Sequence, residues 1–239
     1  MMFSVIRKML SLSLISGIII TIISLGCISA SPLASYSLQM PGMMGTNMMG
    51  TQNLMTTQGQ LVSVEHAIKM MHNKPMYAKV NSQDNTINVG TKNASVVALS
   101  MMSDDAVNIT GTHPPSYSKG DVFVISGLIN PTLVVPKGTT VQFTVINLDE
   151  DMYHNLAISS IEPPYPYMTM MSTMNGMMSS KAGVNPGPIV MSFLPPTNHG
   201  LAHEYSYTLT VGRPGNLWYL CTYPSHAQGG MYGKIAVAS

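Results

Sequence analysis

From Gly120 onward the chain is cut into short runs of alternating apolar and polar residues separated by Gly and Pro, and this spacing constrains the fold more than any other feature. Strand-like runs lie at 121–126, 132–135, 139–147, 154–159, 189–194, 204–211, 217–221 and 234–237. The clearest is TTVQFTVIN at 139–147, in which Val141, Phe143 and Val145 share one face. Tyr205, Tyr207, Leu209 and Val211 share a face in the same way. Many short strands joined by turn residues predict an all-β, Greek-key β-sandwich. Upstream, VSVEHAIKMMH at 62–72 sets Val64, Ile68 and Met71 near helical spacing with Ser63 as N-cap, which predicts a short amphipathic helix at the start of the folded domain. Runs at 77–80, 86–89 and 95–101 read as strands added at a sandwich edge.

The last two strands enclose LWYLCTYPSHAQGGM at 217–231, where Cys221, His226 and Met231 stand at C-x4-H-x4-M. A soft thiolate, an imidazole and a thioether on one loop suit a copper ion that cycles between Cu(II) and Cu(I). One more imidazole completes a trigonal His2Cys set with a weak axial Met, and His154 is the candidate, because it stands where a strand restarts after the acidic turn that follows 139–147. Taken singly, each residue has a plainer explanation. A lone Cys is usually a small buried hydrophobe, a lone His a surface residue, and Met is abundant in a chain that has 23 of them. It is their joint spacing on one loop that points to a metal. Asn147 and Asn155, next to the ligand strands, are candidates for the hydrogen bonds that orient His154 and the Cys221 loop. His226, at the loop tip, is expected to be the more exposed imidazole and the electron port.

Three stretches, NPTLVVPKGTTVQFTVIN at 130–147, EPPYPYM at 162–168 and LWYLCTYPSHAQGGMYGKIAV at 217–237, resemble the cupredoxin family. Within that family they resemble the rusticyanin-like blue copper proteins, with the sulfocyanins as a neighbouring group. The resemblance implies one type 1 copper per chain, held by His154, Cys221, His226 and Met231. It implies an electron carrier and not an enzyme, working in an acidophile's iron-oxidation respiratory chain with redox proteins such as a cytochrome c or a terminal oxidase. The Met-rich run after Pro166 departs from the family pattern.

Only 9% of the 239 residues are Asp, Glu, Lys or Arg, against about 25% in an ordinary domain. Few carboxylates leave few groups to protonate as pH falls, which suits exposure to acid. A net charge of +1 without a basic run excludes nucleic acid as a partner. Arg7-Lys8 precede an uncharged apolar run at 9–30. As a helix this run would be about 33 Å long, enough to cross a hydrocarbon core of about 30 Å. It predicts a signal-anchor or transmembrane helix at 1–30, or a secreted protein if the helix is cleaved. SLGC at 24–27 is a weaker lipidation signal at Cys27.

Residues 31–60 carry no charge and no period of 2 or 3.6, and read as a flexible Met-rich linker to a cupredoxin domain at 61–239. Met40, Met43, Met44, Met48 and Met49 give this segment a second reading as a Cu(I) thioether site. The expected function is single-electron transfer by a monomer at the outer face of the cytoplasmic membrane. The alternative is extracytoplasmic copper handling, as a chaperone or resistance protein, through the Met-rich segments. A multicopper enzyme is disfavoured because the chain has no H-x-H pair.

Overall fold

The computed structural model describes residues 59–73, 76–169 and 192–239. The predicted membrane helix at 1–30, nearly all of the linker at 31–60 and most of the Met-rich insertion lie outside these residues. Among the described residues no helix is long and apolar enough to cross a membrane.

Two six-stranded sheets form a sandwich. In the first, β1 (Gln60–Ser63), β10 (Leu201–Val211), β8 (Thr139–Asn147), β4 (Asn93–Met101), β5 (Val122–Ile125) and β6 (Leu128–Ile129) lie side by side in that order. In the second the order is β2 (Ala78–Asn81), β3 (Thr86–Val89), β7 (Thr132–Pro136), β12 (Tyr232–Ala238), β11 (Gly215–Leu220) and β9 (Ala157–Ser159). Most neighbours are antiparallel, but β4 runs parallel to β8, and β7 runs parallel to both β3 and β12. The core between the sheets takes Val141, Phe143 and Val145 from β8, Leu209 and Val211 from β10, and Tyr219, Ile235 and Val237 from the second sheet. These include the faces that the period-two patterns predict.

The first sheet is buried on its other side as well. Helix α1 (Val64–His72) and helix α2 (Ser103–Thr110) cover it, and Ala67, Met71 and Ala106 pack there against Leu99, Met101, Val122, Val124 and Ile146. This second core explains why β5 reads VFVI without alternation, since a strand covered on both faces needs apolar residues at every position. It also corrects the edge position expected for 95–101. That strand is β4, which lies between β8 and β5 with both of its faces contributing to a core. The edge reading does fit β2 and β3. Ser63 caps α1 as expected, its side chain accepting from the His66 N–H. Helix α2 was not foreseen, although SDDAVNIT has acidic residues in its first turn and Gly111 closes it at φ 67°.

One buried contact ties the second sheet to the turn before β7. The Tyr219 hydroxyl donates to the Pro131 carbonyl at 2.6 Å. The tyrosine ring crosses Gly233 so closely that an added Cβ would lie 2.2 Å from Cζ. Tyr219→Phe keeps the ring and leaves that carbonyl without its donor, so it should cost about 1–3 kcal/mol. Urea unfolding of the metal-free protein measures this loss, and an unchanged midpoint would show that water replaces the hydroxyl.

Candidate metal centre

The site grows out of the β9–β11 ladder. Leu220 pairs with Ala157, Tyr219 with Ile158 and Trp218 with Ser159. Continued past the last ladder pair, this register sets Thr222 opposite Asn155. There the Asn155 side chain donates to the Thr222 hydroxyl and accepts the Thr222 N–H, both at 2.8 Å. The residue after His154 is thereby clasped to the residue after Cys221. His154 is held on its other side by an isolated bridge to Leu194, with His154 N to Leu194 O at 3.3 Å and Leu194 N to His154 O at 2.8 Å. Asn147 secures that bridge, donating to the carbonyls of Met152, Leu194 and Pro195. Tyr205 and Tyr207 reach across from β10 to the N–H and carbonyl of Leu156.

The loop between β11 and β12 carries the rest. Its ends meet where Cys221 N donates to Met231 O at 3.1 Å, and Met231 N donates to His226 O at 2.9 Å. Ser225 takes φ 70° and Gly230 φ 99° to turn the chain. Three neighbouring segments hold it. Ser225 N donates to Tyr167 O, Lys119 N to Gly229 O, and the Asn130 amide to Gly230 O at 3.0 Å. Gly230 is confined by this packing, for an added Cβ would lie 2.4 Å from the Tyr117 carbonyl oxygen.

These supports bring three donor atoms together. His226 Nδ1 lies 3.2 Å from His154 Nδ1 and 3.6 Å from Cys221 Sγ, and His154 Nδ1 lies 3.8 Å from the same sulfur. A first-row metal bonded at about 2.0–2.3 Å to three donors around it separates them by about 3.5–4 Å. Both distances to Cys221 Sγ fall in that range, and the separation of the two imidazole nitrogens lies slightly below it. His154, Cys221 and Met231 are 0% exposed and His226 is 7% exposed, so the tip-loop imidazole is the most accessible of the four without being a surface residue. Met231 is set beside the cluster by its backbone bonds and packs in the same core as Cys221. His66, His72 and His199 are exposed, and His203 lies on β10, so none of them joins the site.

The outer edges of the imidazoles meet two carboxylates that sequence reasoning missed. His154 Nε2 lies 3.3 Å from Asp149 and 4.0 Å from Asp121, and His226 Nε2 lies 3.7 Å from Asp121. The acidic turn after β8 was visible in the sequence, but nothing showed that Asp149 points inward. Burial pushes the Cys221 thiol up, yet hydrogen bonds from His154 and His226 and the charge on both outweigh it, bringing the thiol from 9.0 down to about 6. Burial opposes the charge on His154 too, but hydrogen bonds to Asp149 and Cys221 raise it overall. Asp149 is pushed up by burial and held below its ordinary value by His154 and by the N–H groups of Asp151 and Met152.

Comparison with known proteins agrees with this geometry. Residues 129–238 match the copper binding proteins of the plastocyanin/azurin family. Rusticyanin of Acidithiobacillus ferrooxidans is 34% identical over 112 residues, covering 45% of this chain and 50% of the relative. Rusticyanin of Acidithiobacillus ferridurans matches to the same extent. The chain thus spans about half the length of these curated relatives. A 1.27 Å structure of rusticyanin from Thiobacillus ferrooxidans superposes with a TM-score of 0.54 at 25% identity, covering 75% of this chain and 96% of that one. Reduced rusticyanin at 1.9 Å gives 0.54 and 25%, over 75% and 99%. The two-sheet sandwich with a buried His, Cys and His at one end is like that of a cupredoxin. Within that class the chain resembles the rusticyanins, and its cofactor is copper.

Two measurements follow from the site. Because the folded value of Cys221 lies below that of the unfolded chain, its thiolate contributes stability to the metal-free protein that is complete above pH 9.0 and is lost as pH falls through about 6. Ultraviolet titration of the thiolate, referenced to Cys221→Ser, should show a midpoint near 6, and His154→Ala should raise it by removing a stabilising partner. A midpoint unmoved by His154→Ala would mean that the imidazole does not hold the thiolate. Gly230→Ala forces a positive φ and a clash with Tyr117, and should lower the stability of the metal-free protein by about 1–3 kcal/mol, read by chemical denaturation.

Proposed function

We propose that this chain is a type 1 blue copper protein that carries single electrons between extracytoplasmic redox partners. His154 Nδ1, His226 Nδ1 and Cys221 Sγ would hold the copper, with the Met231 thioether as a weaker fourth donor. The observation that supports this best is the convergence of the three buried donors within 3.8 Å of one another. Copper bound there supplies the Cu(II)/Cu(I) couple. The chain supplies rigidity. The Asn155–Thr222 clasp, the His154–Leu194 bridge and the three-sided support of the loop hold the donors in one arrangement for both oxidation states, which keeps reorganisation on electron transfer small. His226 is the donor nearest solvent and serves as the port, with the Tyr223 ring 4.7 Å from its own and Tyr167 and Met168 exposed on a segment bonded to the adjacent Ser225.

In this reading the 1–30 helix anchors a monomer to the outer face of the cytoplasmic membrane, and residues 31–60 tether a domain that begins near 61. Partners are redox proteins such as a cytochrome c or a terminal oxidase. The likeness to rusticyanins and the low charge content support a place in an acidophile's iron-oxidation respiratory chain.

The test is the visible spectrum of the copper-loaded protein beside Cys221→Ser. An intense blue thiolate-to-copper band, absent from the variant and bleached reversibly by Fe(II) in acid, is expected. A colourless protein that binds Cu(I) through its methionines would replace this reading with copper handling.

A further inference from the structure

Among the described residues Asp149 is the one carboxylate within hydrogen-bond reach of His154, and its surroundings give its two oxygens different tasks. Its side chain is 1% exposed. Oδ1 accepts the N–H of Asp151 at 2.8 Å and that of Met152 at 3.0 Å, closing the turn that leads to His154. Oδ2 faces His154 Nε2 at 3.3 Å. The Asp149 carbonyl accepts from Thr197 N at 2.7 Å, so the residue is fixed from the backbone as well. An ionised carboxylate can only accept, and therefore the proton of a neutral His154 ring must sit on Nε2. That leaves the lone pair on Nδ1, the nitrogen that faces Cys221 and His226.

We propose that Asp149 is a positioning residue for the metal centre, selecting the His154 tautomer that presents Nδ1 to copper and placing a buried negative charge behind that ligand. The inference rests on the copper reading above. A carboxylate behind a ligating imidazole raises the basicity of the ligand and fixes its ring, and loss of such a partner typically weakens metal binding about 10–100-fold. The charge favours Cu(II) over Cu(I), so Asp149 holds the midpoint potential below the value that the same four ligands would give without it. Asp121 lies between the outer edges of both imidazoles at 4.0 and 3.7 Å, beyond hydrogen-bond reach, and contributes charge alone.

Asp149→Asn separates the two tasks. Two backbone N–H groups require an oxygen at the Oδ1 position, so the asparagine amide must turn its NH2 toward His154 Nε2. The turn survives, and the ring is driven to the tautomer with the proton on Nδ1. At alkaline pH, where the His154 ring is neutral, NMR of isotope-labelled histidine in the metal-free proteins should show His154 moving from the Nε2–H to the Nδ1–H form in the variant. Cu(II) affinity, measured by chelator competition, should fall about 10–100-fold. Cu(I) affinity should fall about tenfold less, which raises the midpoint potential by about 59 mV for a one-electron couple. Asp121→Asn should leave the tautomer in place.

A residue that only closed the turn would leave tautomer, affinity and potential unchanged in Asp149→Asn, because asparagine makes the same turn bonds, and that result would overturn the proposal. A tautomer change of the same size in Asp121→Asn would overturn it too. If the unsubstituted protein takes up copper without a blue band, the copper reading fails, while the metal-free tautomer measurement still decides whether Asp149 selects Nδ1.

Discussion

A thiol and two imidazoles buried at the end of a β-sandwich are costly unless each polar atom finds a partner, and the architecture around them follows from that constraint. Cys221 is answered by both histidines, His154 by Asp149, and the backbone beside each by Asn155, Thr222, Asn147 and Asn130. Among the described residues every buried side-chain nitrogen and oxygen has a partner. The members of the cluster satisfy one another, and their mutual attraction holds the Cys221 thiol below its ordinary value despite full burial.

The placement of this cluster depends on the first sheet being covered on both faces. With α1 and α2 over one side, the end of β8 is buried continuously from Val145 to Asn147, and the chain leaves it through Leu148 and Asp149, which are also buried. The crossover from the first sheet to the second therefore starts inside the protein. Asp149 turns it, Leu194 receives it, and it reaches β9 with His154 already aimed at the loop that follows β11. Few long-chain polar groups are needed to steer it, in keeping with a composition poor in charge.

Much of this was legible in the sequence, for identifiable reasons. Val141, Phe143 and Val145 mark their strand because one face is apolar and the other polar, and 139–147 is strand throughout. Cys221, His226 and Met231 can be read as a group because local spacing carries them to the same loop. His154 needed the strand pattern to place it, and Asn155 needed only to be its neighbour. Asp149 and Asp121 could not be assigned from the chain alone, since their role depends on which way a turn faces. The central position of β4 was hidden for a related reason. Its pairing with β8 joins Asn93 to Thr140 and Ser100 to Asn147, and no local pattern reports so distant a parallel register.

His154 and Cys221 stand 67 residues apart, one on the crossover between sheets and the other on the C-terminal loop. A metal gripping both would act as a cross-link, much as a disulfide does, in a domain with a single cysteine among its described residues. Ligands this deeply enclosed release their metal only when the end of the sandwich opens, so escape of the ion and opening of the fold become one event. The lifetime of the loaded protein would then be governed by the rate of that opening and not by equilibrium stability.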